Sequence, residues 1–287
     1  MRRRCRNLEG DNLEPFVPTA AGDLEVLTIA PWTRRFPHLT AGMTMRSGGV
    51  SEAPFHSLNC GLHVQDAPEA VIENRRRLAR ALHFAFDAWT AAEQVHGSRV
   101  ETIRPPDRGK GRDALDTAVP ETDGMVTDER DVLLTALFAD CVPLFLYDPD
   151  HEAVGLVHAG WRGTAAEIAR EAVHRMSEAY GSDPSRMLAA IGPSIGACCY
   201  EVDEAVALRF RDVPGWERAA LPSEEKGKYR LDLKELNRQI MIKAGILPIH
   251  IEMSNWCTGC RTDMFFSHRA ERGRTGRMAA WIGLRRR

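Results

Sequence analysis

Three side chains stand out as able to carry chemistry: His96 in Gln94-Val95-His96-Gly97, Cys141 in Ala139-Asp140-Cys141-Val142, and His158 in Val157-His158-Ala159-Gly160-Trp161-Arg162. Each stands where an apolar, strand-like run gives way to small or glycine residues. A side chain there is held rigidly while a ligand can approach the backbone closely. Two neutral imidazoles and one thiolate make a zinc donor set of three, which leaves the fourth tetrahedral position open to water or substrate. An ion so held polarises a leaving group or lowers the pKa of bound water to about 7. The separations, 45 and 17 positions, are not a metal-binding spacing in themselves. The same residues fit a Cys141 thiolate nucleophile with His158 as its base, or simply a buried cysteine and two hydrogen-bonded histidines. Asp140 beside the thiol and Gln94 near His96 are candidates to orient an imidazole.

Other groups carry weaker signals. Arg46, Arg162 and Arg269 lie in Gly- or Ser-flanked, loop-like contexts from which a guanidinium could fork onto phosphate. Gly192-Pro193-Ser194-Ile195-Gly196 follows a strand-like run and reads as a turn or as a backbone nest for an oxyanion, without a Walker or dinucleotide fingerprint. Cys257-Thr258-Gly259-Cys260 is a C-x-x-C pair with no second such pair, which argues against a zinc ribbon and leaves a redox dithiol open. None of the ten histidines forms an H-x-H pair of the kind that bridges a copper cluster.

The elements that must position these groups follow from apolar periodicity. Leu133–Ala139, Val142–Tyr147 and Ala153–Val157 read as buried strands, and after Gly163 the period changes to that of a helix over Thr164–Tyr180, ended by Gly181. Strands are also expected at Leu39–Met45, Arg99–Ile103, Met125–Thr127, Met187–Ile191, Ile249–Met253 and Met278–Leu284. Helices are expected after an Asp66 N-cap with Pro68 in the first turn, over Glu201–Arg211, and over Asp232–Ala244 ahead of Gly245. Pro105–Thr122 reads as a surface loop and residues 1–23, with Pro15 and Pro18, as a mobile arm preceding one domain over 24–287.

Composition narrows the function classes. A net charge of −2 gives no bulk electrostatic case for nucleic acid or an anionic membrane, and Arg2–Arg4 and Arg285–Arg287 read as solvated tails. No apolar run has the length of a membrane span, and no apolar h-region follows the basic start at Arg2–Arg4. Seven unevenly spaced cysteines, two of them the adjacent Cys198-Cys199, do not read as a disulfide framework. A cytoplasmic monomer is the expectation.

In order along the chain, SLNCGLHVQD, QVHG, TDGMVTD, ADCVPLFL, VHAGWRGT, IGPSIGACCYEV and FFSHRAERGRTGRMAAWIGL closely resemble the YfiH/YlmD family, from about Leu39 to Leu284. Its members are named laccase-domain proteins, polyphenol oxidases or purine nucleoside phosphorylases. The resemblance implies a mixed α/β (α+β) fold, layered around mixed β-sheets flanked by helices and related to that of cysteine-hydrolase-like toxins. It also implies zinc on His96, Cys141 and His158. The activity implied is phosphorolysis of adenosine, inosine and methylthioadenosine to base and ribose 1-phosphate, together with adenosine deamination. On this expectation the nucleoside meets loops around Arg46, Asn59 and Arg269, phosphate is held by arginines, and Asp140 moves a proton. The alternatives are a Cys141–His158 hydrolase, a copper-dependent phenol oxidase as one family name suggests, and a nucleoside-binding protein without turnover. Cys60 and Cys260 depart from the family pattern without touching the three donors.

Overall fold

The computed structural model describes residues 14–286. Two six-stranded mixed sheets form its centre. The first runs in the order Phe16–Ala21, Leu24–Ile29, Leu39–Thr44, Met278–Leu284, Leu133–Phe138 and Trp89–Ala91, antiparallel except at the last pair. The second runs in the order Ile251–Met253, Leu188–Ile191, Val142–Asp148, Ala153–Ala159, Gly124–Thr127 and Val100–Thr102, parallel only at its two outer pairs. Phe138, Phe145, Leu156, Ala280 and Ile282 belong to one core between the sheets. Helices Ile168–Tyr180 and Leu233–Lys243 share a second core with the second sheet, and helix Pro68–Ala81 shares a third with the first sheet. The layers therefore run helix, sheet, sheet, helix.

This layering explains why the central strands read as unbroken apolar runs. Every residue of Leu133–Phe138, Val142–Asp148 and Ala153–Ala159 is buried, because sheets covered on both faces need apolar side chains at every position rather than at alternate ones. Phe145 is wholly buried and tilts against Phe16 with ring centroids 5.7 Å apart. Truncating such a residue to alanine costs about 3–5 kcal/mol.

The chain departs from the periodicity reading at several points. Phe16–Ala21 is an edge strand rather than part of an arm; residues 1–13 of that arm lie outside the described residues. Pro18 is tolerated there because an edge strand has only one partner, Leu24–Ile29. The helix after Gly160 is two pieces, Trp161–Ala165 and Ile168–Tyr180, separated at Glu167, whose φ is 54. The first piece is tied to helix Leu233–Lys243 by Asn237 Nδ2 donating to Thr164 Oγ1 at 2.9 Å, while Ile168, Ala172 and Met176 pack into the core with the second sheet. Glu201–Arg211 starts as a short strand, Glu201–Asp203, paired with Lys228–Leu231, before two short helical turns. Asp66 does not cap the helix from Pro68; its carboxylate accepts from Asn59 Nδ2 and from Ala67 N, and Ala67 holds the cap position. Asp232 does cap, accepting from Glu235 N at 3.1 Å. No helix among the described residues is long and apolar enough to cross a membrane.

Candidate active site and metal centre

The fold brings His96, Cys141 and His158 together, with their donor atoms all within 4.8 Å of one another. The chain leaves the first sheet at Phe138 and enters the second at Val142, so Cys141 sits at the seam between the sheets. His158 lies inside the strand Ala153–Ala159, opposite Pro143 in the register, rather than just past its end. The imidazoles of His96 and His158 meet edge to face, with centroids 4.8 Å apart at 81°. Gly160 leaves the space they occupy: a Cβ there would lie 3.0 Å from His96 Cδ2 and 3.3 Å from Cys141 Sγ. The three residues could hold one metal ion.

Asp123 organises the set. Its Oδ1 lies 2.8 Å from His158 Nδ1, which leaves the other ring nitrogen to face the thiol. Its two oxygens also accept from Val95 N, His96 N and Gly97 N, at 3.2, 3.0 and 2.7 Å, clamping the turn in which His96 has a φ of 61. One carboxylate thus fixes both imidazoles, as carboxylates behind metal-binding histidines do. Gln94 does not orient His96; it donates to Leu137 O and accepts from Leu137 N, which pins the turn to the first sheet.

The charges follow from this geometry. Burial works to raise the Cys141 thiol, but the charge of His158 and hydrogen bonds from His158 and His96 outweigh it and bring it down to about 6. Burial works to lower His158, but the Cys141 thiolate and the Asp123 hydrogen bond push it up to about 9. Burial disfavours the charged form of Asp123, and the His158 contact and backbone donors of Gly97 and His96 more than offset this, holding the carboxyl below its ordinary range. Both shifts favour the charged forms, a thiolate beside an imidazolium.

The three donors open onto a cleft of about 890 Å³ that is also lined by Arg162, Arg269 and Arg277 and by His63 and His268. Part of its wall is the Pro105–Thr122 segment, which contains two short 3₁₀ turns and is anchored by the buried Arg75. That guanidinium donates to Gly111 O and Arg112 O, and also to Cys60 O. Arg162 and Arg269 line this cleft, each also lying over an aromatic ring, Trp161 and Tyr200 respectively.

Arg46, Asn59 and Asp140 behave differently from the sequence expectation. Arg46 is not in the cleft lining. Its guanidinium donates to Thr262 O and Phe265 O, pairs with Glu271 and stacks over Phe266, so it ties a loop down. Asn59 is fully buried and accepts from Gly61 N and Arg277 N, so it positions Arg277 rather than touching a ligand. Asp140 lines the cleft, but its carboxylate accepts from Thr258 Oγ1 at 2.6 Å, Ser267 Oγ at 2.7 Å and Arg269 N at 2.7 Å. A carboxylate so occupied is a positioning group rather than a proton carrier. The Gly192–Gly196 loop is not a nest: Gly192 N donates to Pro143 O, Ile195 N to Asp140 O and Gly196 N to Cys257 Sγ. Cys60 is wholly buried, and burial pushes its thiol up to about 12.

Asp123, Arg277 and His268 escaped the sequence reading. Thr122-Asp123-Gly124 has the composition of a tight turn, with nothing in it to single out Asp123. Arg277 and His268 sit in the quoted stretch FFSHRAERGRTGRM without a spacing that singles them out.

A profile of the family described as multi-copper polyphenol oxidoreductase laccase matches residues 40–285. The purine nucleoside phosphorylase YlmD of Bacillus subtilis is 42% identical over 271 residues, spanning 94% of this chain and 98% of the relative. The purine nucleoside phosphorylase YlmD of Geobacillus stearothermophilus is 48% identical over 252 residues, spanning 87% and 92%. The crystal structure of that Geobacillus stearothermophilus YlmD superposes with a TM-score of 0.90 at 44% identity, covering 96% of this chain and 100% of the other. That of the Bacillus licheniformis hypothetical protein YfiH superposes with a TM-score of 0.89 at 44% identity, covering 95% and 100%. On profile, sequence and fold, the chain belongs to the multi-copper polyphenol oxidoreductase laccase family, with YfiH and YlmD proteins as relatives.

Proposed function

We propose that the chain is a zinc-dependent purine nucleoside phosphorylase. It converts adenosine, inosine or methylthioadenosine with phosphate to the free base and ribose 1-phosphate, and it deaminates adenosine as a second activity. The observation that carries this reading is the placement of a two-imidazole, one-thiolate donor set in a cleft also lined by Arg162, Arg269 and Arg277. A seat for a Lewis acid thus opens onto the same space as a seat for an anion.

His96, Cys141 and His158 hold the zinc; the donor types fit, and Asp123 presets the His158 tautomer. When bound, the ion supplies Lewis-acid stabilisation of negative charge developing on the substrate. The arginines bind phosphate, because a planar guanidinium matches two phosphate oxygens at once. Phosphate oxygen bonds to the anomeric carbon as the glycosidic C–N bond breaks, and its electron pair leaves with the base. Asp140 keeps Arg269 in place through its backbone N–H, and Asn59 does the same for Arg277. Two imidazoles and a thiolate also suit a single copper ion. A copper cluster is less well supported, because the other group of three or more donors among the described residues consists of sulfurs alone.

The test is elemental analysis of purified protein together with adenosine turnover, with and without phosphate, for wild type and His96→Ala. Phosphate-dependent ribose 1-phosphate, lost in the variant together with one zinc per chain, supports the reading. Turnover indifferent to the variant's loss of metal overturns it.

A second reading rests on the paired shifts of Cys141 and His158 with Asp123 behind the imidazole, the arrangement of a thiol hydrolase. It predicts an activity abolished by thiol alkylation and untouched by chelators.

A further inference from the structure

A second cluster of metal-binding side chains lies outside the three-donor site. Cys198, Cys199, Cys257 and Cys260 have their sulfurs all within 4.8 Å of one another, with Cys260 Sγ 3.5 Å from Cys198 Sγ and 3.4 Å from Cys199 Sγ. Zinc–sulfur bonds of about 2.3 Å in a tetrahedron place the sulfurs about 3.8 Å from each other. The observed spacing therefore encloses one ion and is too tight for a multi-iron cluster. We propose that Cys198, Cys199, Cys257 and Cys260, in their reduced form, bind a single zinc ion in a closed, four-sulfur structural site distinct from the His96–Cys141–His158 centre.

The surroundings are those of a thiolate site. Gly196 N donates to Cys257 Sγ at 3.2 Å, and Cys260 N to Cys257 O at 3.2 Å, closing a tight C-x-x-C turn. A Cβ on Gly259 would lie 3.2 Å from Cys199 Sγ, so glycine is what lets the two loops close. Parallel bridging of Ser194 with Cys257 brings the Cys198-Cys199 pair to the C-x-x-C turn. Loading breaks four S–H bonds, forms four Zn–S bonds, releases the protons to water and leaves a doubly negative centre. Two cations sit on the adjoining backbone to offset it: Arg230 donates to Cys198 O at 2.7 Å, and the buried Lys234 donates to Ser254 O and Trp256 O at 2.7 and 3.1 Å. Cys260 is disulfide-bonded here. Ligation therefore follows its reduction by a dithiol, which becomes a cyclic disulfide and leaves two protein thiols.

The site would staple the cleft wall. Thr258, between the two C-x-x-C sulfurs, is the residue that donates to Asp140, next to Cys141.

The experiment uses the full chain, reduced with dithiothreitol, freed of metal and reductant without air, and titrated with zinc sulfate. It is then alkylated with iodoacetamide and read by peptide mass spectrometry. Zinc should slow alkylation of all four cysteines together by at least about tenfold, since a metal-bound thiolate is withdrawn from reaction. The protection should persist, with one zinc per chain, in a His96→Ala/Cys141→Ala variant. Cobalt in that variant should give thiolate-to-metal charge-transfer absorption, absent after Cys198→Ser/Cys199→Ser. Equal alkylation with and without zinc, or protection that disappears in His96→Ala/Cys141→Ala, overturns the proposal. The alkylation arm on the wild-type chain stands even if the cysteine variants fail to fold.

Discussion

His96 and Cys141 come from two segments that cross between the central sheets and His158 from inside a strand of the second, whereas the four clustered cysteines come from two loops bridged beside the second sheet. The first set is mixed in chemistry, offers three donors, and opens onto the arginine-lined cleft. The second is all sulfur and offers four donors, enough to close a tetrahedron. An ion in the first set keeps a position for substrate, while an ion in the second has none to give and acts on stability. On the two proposals, the chain would use related donors for chemistry in one place and for cross-linking in another, with the Thr258–Asp140 hydrogen bond joining the two.

The largest expected effect falls on the open set. Cys141→Ala should remove its metal and lower kcat/KM for phosphorolysis by roughly 10³-fold, the scale of the several kcal/mol a Lewis-acid ion supplies; metal analysis and steady-state kinetics check both. Asp123→Asn should weaken metal at that set by about 10–100-fold, as for other carboxylates behind a ligating histidine, measured by competition with a chelator. Arg277→Ala should raise KM for phosphate by about tenfold, equivalent to about 1.4 kcal/mol for one charged hydrogen-bonding partner. Arg46→Ala should leave that KM unchanged and instead destabilise the fold by about 1–3 kcal/mol, read from urea unfolding. On the closed set, Cys199→Ser/Cys260→Ser should leave metal at the open set in place and lower the Tm by a few degrees, at about 2–4 °C per kcal/mol for a chain of this size. A fall in kcat as large as that of Cys141→Ala would erase the distinction between the sets.

What could be read from the sequence was what depends on local pattern. Continuous apolar runs marked Leu133–Phe138, Val142–Asp148 and Ala153–Ala159, because both faces of these strands are covered. They placed Cys141 between two buried strands, at the seam, and set His158 just past a third strand that in fact runs on to Ala159, while the family resemblance, not spacing, pointed to zinc. Contacts made across the fold were not legible. Asp123 looked like a turn residue, and its hold on His158 and on the 95–97 backbone exists only once Gly124–Thr127 pairs with Ala153–Ala159. The Cys198-Cys199 pair and Cys257-x-x-Cys260 looked unrelated because 57 residues lie between them, and only the Ser194–Cys257 bridge brings them together. Among the arginines, composition could not separate Arg46, spent on carbonyls and Glu271, from Arg277, which reaches the cleft. Pro15 and Pro18 concealed an edge strand, since proline counts against a central strand but not an outer one.

The most direct test of the central claim is phosphate-dependent release of ribose 1-phosphate from adenosine by the wild-type chain, before chelation, after chelation, and after zinc is restored. The account predicts activity, loss and recovery, in step with metal at the His96–Cys141–His158 set. Undiminished phosphorolysis by metal-free protein, or no phosphorolysis with that set fully loaded with zinc, would contradict it.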